Sequence, residues 1–436
     1  MSLKFNIATT FVARLAVLAL ALVSSIFLAR ILGPEGRGLF ALIVLLPEFL
    51  TSFGLFGIEQ SNMVYAGLEP KARPTLMWQS AAIAGVIGTS VAIASAYYLV
   101  LGAPGFASLV RGPLWLYLLP LSTIPGRIVT TYWWSIIQGM NRIFLLNIVE
   151  VGTKGASLVL VLVFIAWLRM GVAGAVWADF AVSIGSVLLM IFLLRHVRVW
   201  ERPSFDSSLL RRSVRFALPA HGANILTFLN YRVDQFIIVA LLPPEQLGFY
   251  VIAVGIVERL WILPGSVAGA LLPHLTSSHD RNPAQAAIIA RHVMIWIGIV
   301  CFLVFILAGV GVRLLYSSAF IPAVAPLRWL LPGIFALSIG KILVVELSAR
   351  KKIDYVVWAG IIAVLVNVAG NLLLIPRMGI SGAAIASTMS YSLLSLMIIC
   401  YYLRETGVGW KKLIPCRSDF LPYLAFMQQK GLFFFK

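Results

Sequence analysis

Thirteen charged residues fall inside long apolar stretches of this sequence. The cations are Arg14, Arg127, Lys154, Arg232, Arg259, Arg328 and Lys341. The anions are Glu48, Glu150, Asp179, Asp234, Glu258 and Glu346. A charge on a membrane-spanning helix costs about 2.5–3.5 kcal/mol on insertion scales unless it meets a partner, a cavity or water. Each of these residues is therefore a candidate site residue. Guanidinium is permanently charged and makes bidentate bonds to phosphate. A buried carboxylate can take up a proton and carry it between faces, so Asp234 and Glu258 admit ion coupling.

Some of the charges have a structural reading. Glu150 and Lys154 stand four apart in the favourable order and can pair on one helix face. Glu346 can pair with Arg350, and Lys341 can reach the cytoplasmic interface by snorkelling. Asp179 and Arg328 lie near outer helix ends. Arg14, Arg127, Arg232 and Arg259 are harder to explain in this way. At 1.5 Å per residue, Arg14 lies about 9 Å inside its span, and Arg127 and Arg232 about 20 Å inside theirs. Arg259 lies near mid-membrane. Asp234 is two residues from Arg232 and Glu258 adjoins Arg259, so neither couple pairs naturally along one helix. Their partners would come from other helices, as interlobe pairs.

The elements that hold these charges follow from composition. The 436 residues are 61% hydrophobic and only 11% charged, against about 25% charged in soluble proteins. A soluble globular class is excluded. Apolar runs broken by Pro, Gly and charge clusters predict helices over 8–30, 38–58, 77–101, 113–137, 143–168, 172–194, 217–241, 247–272, 288–312, 323–346, 355–375 and 381–403. Each is near the 20 residues that a crossing needs; barrel strands would be half as long. The expected class is an all-α polytopic membrane protein with about twelve transmembrane helices. The first run is too long for a cleavable signal and reads as the first span.

The formal net charge of +18 would suggest nucleic acid in a soluble protein. In a membrane protein it encodes orientation, because Lys and Arg collect on the cytoplasmic side. The face holding the N-terminus carries 21 basic residues, among them Arg195, Arg198, Arg202, Arg211, Arg212, Arg215, Arg281, Lys351, Lys352, Arg417, Lys430 and Lys436. The other carries six: Arg30, Arg37, Arg111, Arg169, Arg313 and Arg377. Both termini are expected to be cytoplasmic, and no nucleic-acid partner is implied.

The chain also repeats itself. ILGPEGRGLFAL at 31–42 aligns with LLPPEQLGFYVI at 241–252, and GVAGAVWA at 171–178 with GISGAAIA at 379–386, at offsets of 210 and 208. The constant offset gives two six-helix halves in the same orientation, a transporter plan with a site between the halves. The expected division is an N-terminal lobe at 1–197, a basic cytoplasmic linker at 198–213, a C-terminal lobe at 214–405 and a cytoplasmic tail at 406–436 that can lie in the interface.

Other features read as structure. Gly38 and Gly248, with Pro34 and Pro244, look like tight outer turns. Pro120, Pro125, Pro264 and Pro273 permit kinks. TYWW at 131–134 reads as an interfacial belt, and the five histidines, His221 and His279 among them, as solvated. Cys301, Cys400 and Cys416 are isolated packing residues with no metal-ligand spacing. No phosphate-loop signature is present, and an enzyme is not expected.

Three passages carry a resemblance to a family: ARILGPEGRGLFAL at 29–42, the stretch from Asn230 to Leu275, and the GVAGA/GISGA pair. The chain resembles the O-antigen-type polysaccharide flippases of the multidrug/oligosaccharidyl-lipid/polysaccharide (MOP) transporter superfamily. The resemblance implies two pseudo-symmetric six-helix lobes around a central cavity. It implies alternating access that moves an undecaprenyl-pyrophosphate-linked oligosaccharide across the bacterial inner membrane. Lipid II flippases of the superfamily usually have fourteen helices, so twelve fits the polysaccharide branch better.

The resemblance also implies that the first two helices of each half border the cavity, which gives Arg14, Arg232 and Arg259, with Arg127, an expected role in contacting the pyrophosphate. Asp234, Glu258, Glu150 and Lys154 are the expected residues of ion coupling or interlobe pairing, with proton or sodium as the coupling ion and no other cofactor. Expected partners are the lipid-linked glycan, membrane lipids and other polysaccharide-assembly membrane proteins. A multidrug-type antiporter would want an acidic cavity, against which the arginines speak. A membrane glycan polymerase would want a long outer loop, and every predicted outer loop is short.

Overall fold

The computed structural model describes residues 3–102, 112–277, 284–350, 352–416 and 419. Arg111, Arg281, Lys351, Arg417, Lys430, Lys436, His279 and the tail from 420 onward lie outside the described residues. Hydrocarbon offers no hydrogen bonds to an open backbone, so long apolar runs close their own as helices. No strand occurs among the described residues. The α-helices are α1 Leu3–Gly54, α2 Ile58–Leu68, α3 Arg73–Val100, α4 Trp115–Leu121, α5 Ile124–Gly139, α6 Ile143–Val161, α7 Gly171–His196, α8 Ser207–Leu241, α9 Pro244–Leu260, α10 Ile262–Ser277, α11 Ala284–Tyr316, α12 Val324–Ala349 and α13 Ile353–Thr406.

Eight helical stretches among the described residues are long and apolar enough to cross a membrane. Two of them are double crossings: α1 is broken at Gly33 (φ 68°) and α13 at Gly379 (φ 58°). The α4–α5 pair and α8 are interrupted or polar, and they bring the number of crossings to about twelve. The second expected span ends early. Phe56 (φ 46°) and Gly57 (φ 70°) break it before α2 begins. Prolines lie at or near two further breaks: Pro125 stands in the first turn of α5, and Pro264 follows the α9–α10 junction.

The internal repeat is visible in the backbone. Gly171 and Gly379, equivalent by the 208-residue offset, both adopt positive φ, 57° and 58°. Three residues later, a Cβ on Gly174 would lie 2.8 Å from the Phe164 carbonyl, and one on Gly382 2.4 Å from that of Leu374. Gly38 and Gly248 are not turn residues. Both lie inside helices, where a Cβ on Gly38 would lie 1.8 Å from the Pro244 carbonyl oxygen and one on Gly248 2.0 Å from that of Pro34. Each copy of the motif thus presses its glycine onto the other copy's proline. The left-handed turn within the first copy belongs to Gly33.

Two packing units are distinguished. The first comprises 1–252 and 312–322, the second 253–311 and 323–436. The first therefore takes in α8 and the start of α9, beyond the six helices of the first sequence half. On α8, Arg212 pairs with Glu69 at 3.1 Å, Asn224 donates to Glu59 at 3.2 Å, and Phe228 and Phe236 pack on Phe49. Asp206 caps α8. Its carboxyl, bonded by the Ser208 hydroxyl and the Leu209 N–H, is held below the usual carboxylate range.

Within this unit Tyr132 and Trp133 are buried, contrary to the interfacial belt expected of TYWW. The Tyr132 hydroxyl donates at 2.8 Å to the Leu55 carbonyl, which also accepts the Ile58 N–H at 3.1 Å in the turn after Gly54. The Trp133 indole donates to Met77 at 3.2 Å. His221 is likewise buried, stacked on Phe56, and is not solvated.

In the second unit α12 and α13 approach closely. A Cβ on Gly333 would meet Thr388 Cα at 2.7 Å, the small-residue packing usual between membrane helices. Glu346 pairs with Arg350 at 2.8 Å as expected, and Lys352 with Glu405 at 3.1 Å. The Glu405 carboxylate beside it raises the Lys352 ammonium above the usual lysine range. Buried Asp419 receives Arg291 at 2.5 Å and fastens the start of the tail to α11.

Candidate functional site: a charged, hydroxyl-lined pocket in the first unit

Four helices of the first unit turn one polar face each toward a common pocket. From α1 come Glu48, Thr51 and Ser52; from α5, Arg127, Thr130 and Thr131; from α6, Thr153, Lys154 and Ser157; from α7, Asp179, Ser183 and Ser186. These positions recur at three- and four-residue intervals, the spacing of one helix face. The pocket holds about 470 Å³, within the roughly 300–1,000 Å³ usual for small-ligand sites.

The charges are arranged in pairs. Arg127 donates to Asp179 at 2.5 Å and, through Nε, to the Thr123 hydroxyl at 2.8 Å. Lys154 is exposed in the pocket and near enough to Asp179 to act on its charge. No ion pair joins Lys154 to Glu150 among the described residues. The pairing expected along α6 is thus replaced by an attraction across to α7, where Asp179 shares the pocket. Glu48 stands 3.6 Å from Arg232 Nε on α8. Asp179 and Glu48 are the residues the sequence undervalued.

The remaining expected site residues are not among those that line this pocket. Arg14 is exposed on α1, one turn beyond Thr10, which accepts from Asn147 at 3.0 Å. Asp234 is buried on α8 and accepts from the Tyr250 hydroxyl at 2.5 Å. Arg259, in the second unit, donates to the Gly255 carbonyl one turn back. Glu258 interacts with Lys341, and the Lys341 ammonium lies 4.0 Å from the Trp261 ring centroid. Lys341 is thus held by a carboxylate and an indole ring of its own unit. Arg328 donates to the Phe305 carbonyl at 3.1 Å.

A family model described as polysaccharide biosynthesis protein matches residues 3–279. The succinoglycan biosynthesis transport protein ExoT of Rhizobium meliloti (strain 1021) is 26% identical over 440 residues, covering 98% of this chain and 82% of that protein. Among solved structures, the lipid II flippase MurJ in an inward closed conformation gives a TM-score of 0.76 at 14% identity, over 94% of this chain and 89% of that one. An inward-facing multidrug resistance MATE family transporter of the MOP superfamily gives 0.73 at 15% identity, over 91% and 98%. At such identities the structures speak for the fold, a multi-pass helical fold of MOP transporters. The match over well over half of the sequence speaks for more: this chain belongs to the polysaccharide biosynthesis protein family.

Proposed function

We propose that this chain is a flippase, moving an undecaprenyl-pyrophosphate-linked oligosaccharide across the bacterial inner membrane by alternating access for polysaccharide or O-antigen assembly. Family membership supports the glycan class, and the similarity to a succinoglycan transport protein supports transport. The observation that carries the reading is the pocket of about 470 Å³, with Glu48, Arg127, Lys154 and Asp179 set among membrane-spanning helices. Four charges inside a membrane protein are expensive to keep and mark a substrate path by default. The pocket hydroxyls of Thr130, Thr131, Thr153, Ser183 and Ser186 all donate to backbone carbonyls, so none of the five is paired with a base as a nucleophile would be.

On this reading Arg14, Arg232 and Arg259 meet the pyrophosphate, while Arg127 is held by Asp179 as part of the pocket. Asp234 and Glu258 serve coupling to protons or sodium. Both termini are cytoplasmic, a placement supported by the 21-to-6 excess of basic residues. The partners are the lipid-linked glycan, anionic membrane lipids and other membrane proteins of polysaccharide assembly.

Deleting the gene will make lipid-linked repeat units accumulate on the inner leaflet. Normal export in the deletion strain would sink the reading. Complementation with Arg14→Ala/Arg232→Ala/Arg259→Ala, at normal protein level, will restore less than about a tenth of wild-type export, as expected when several charge-assisted phosphate bonds are lost together. Intact export would remove these arginines from the substrate path.

A further inference from the structure

We infer that the pocket lined by α1, α5, α6 and α7 is a sugar subsite, holding one or two rings of the transported glycan through an array of hydrogen-bond acceptors. The inference rests on the transport reading and deepens it. It comes from counting protons. A Thr or Ser hydroxyl has one proton to donate and two lone pairs to accept with. Thr130 spends its proton on Gly126 at 2.7 Å, Thr131 on Arg127 at 2.9 Å and Thr153 on Val149 at 2.8 Å. Ser183 spends its own on Asp179 at 2.9 Å and Ser186 on Val182 at 2.7 Å. All five acceptors are main-chain carbonyls four residues back. What each hydroxyl then offers the pocket is lone pairs alone. Thr51 Oγ1, on the α1 wall, is buried and has no hydrogen-bond partner. Glu48 and Asp179 add carboxylate oxygens. The donors facing this array are the Lys154 ammonium, what remains of the Arg127 guanidinium, and the hydroxyls of Thr51, Ser52 and Ser157, whose protons are not spent on their own helices.

A fitting ligand brings many donors and a few acceptors. The two cations and two anions of the lining cancel, so the lining itself selects no net charge, while Arg232 stands at its edge 3.6 Å from Glu48. A dehydrated metal cation fits poorly. Such an ion wants a close cage of oxygens, about 2.3–2.6 Å away for calcium, whereas this space is about 470 Å³ and holds an ammonium and a guanidinium. A pyranose fits on each count: it is neutral, its rim is crowded with O–H donors, and its ring and ether oxygens can accept from Lys154.

The test uses the purified full-length protein and two fluorescent probes, a polyprenyl pyrophosphate bearing a single hexose and the same lipid pyrophosphate without sugar. Wild type should bind the glycosylated probe more tightly. Thr130→Val/Thr131→Val/Thr153→Val keeps the β-branched shape and removes three acceptors. It should weaken binding of the glycosylated probe about tenfold relative to the bare one. Should the triple variant fail to fold, Ser183→Ala/Ser186→Ala replaces it, with the same expected direction. If wild type binds neither probe, the flippase reading falls and the inference with it. If wild type binds both probes equally, or the variants keep the wild-type preference, the sugar subsite is overturned while the flippase reading stands.

Discussion

Asp179→Leu will destabilise the protein by about 3 kcal/mol, and Arg127→Leu will cost less. Removing one partner of a buried ion pair costs about 3–5 kcal/mol, because the survivor is left charged and unpaired. Here the two side chains keep 23% and 21% of their exposure, so the lower end applies. The asymmetry comes from Lys154. When Asp179 is lost, Arg127 and Lys154 face one pocket with only Glu48, itself 3.6 Å from Arg232, to offset them. When Arg127 is lost, Lys154 still neutralises Asp179 across the pocket. The double variant Arg127→Leu/Asp179→Leu will cost less than the sum of the single changes, since no charge of this pair is stranded. Unfolding midpoints of the four proteins in one detergent decide it. Strict additivity, or Arg127→Leu more harmful than Asp179→Leu, would show that the pair does not anchor α5 to α7.

Much of this is legible in the residues alone, for physical reasons that differ by feature. Helix number followed from apolar run length because the bilayer fixes the length of a crossing. Even so, α4–α5 and α8 fall short of a strict length-and-apolarity criterion. The repeat was legible because Gly171 and Gly379 need the same left-handed backbone, a requirement written into residue type. Partners were not legible. The depth of Arg127 was readable, but its pairing with Asp179, 52 positions away, was not. A single helix reveals only its own i,i+3 and i,i+4 neighbours, which points Lys154 to Glu150. The pocket did leave a trace: Glu48, Thr51 and Ser52, like Asp179, Ser183 and Ser186, recur at helical spacing, a polar stripe on an apolar helix. The stripe is faint because Ser and Thr are cheap in a membrane when they bond their own helix.

Gly38→Ala and Gly248→Ala will each destabilise the protein severely, by about 3 kcal/mol or more, at the upper end of overpacking costs. The added methyl of the first would sit 1.8 Å from the Pro244 oxygen and 2.9 Å from the Gly248 nitrogen. That of the second would sit 2.0 Å from the Pro34 oxygen and 3.1 Å from the Gly38 nitrogen. Both obstacles are main chain, so no side-chain rotation relieves them. The helices themselves must separate, which also loosens the neighbouring packing of Leu42, Val239 and Leu247. Gly85→Ala supplies the control. Nothing lies within 4 Å of its Cβ, and the substitution favours the helix by roughly 1 kcal/mol. Because Gly38 and Gly248 guard one shared contact, the first alanine already forces the separation that the second would need. The double variant should then be little worse than either single one. Melting temperatures and the yield of monodisperse protein measure all four variants. A Gly38→Ala protein that behaves like Gly85→Ala would mean that the two motif copies do not meet backbone to backbone.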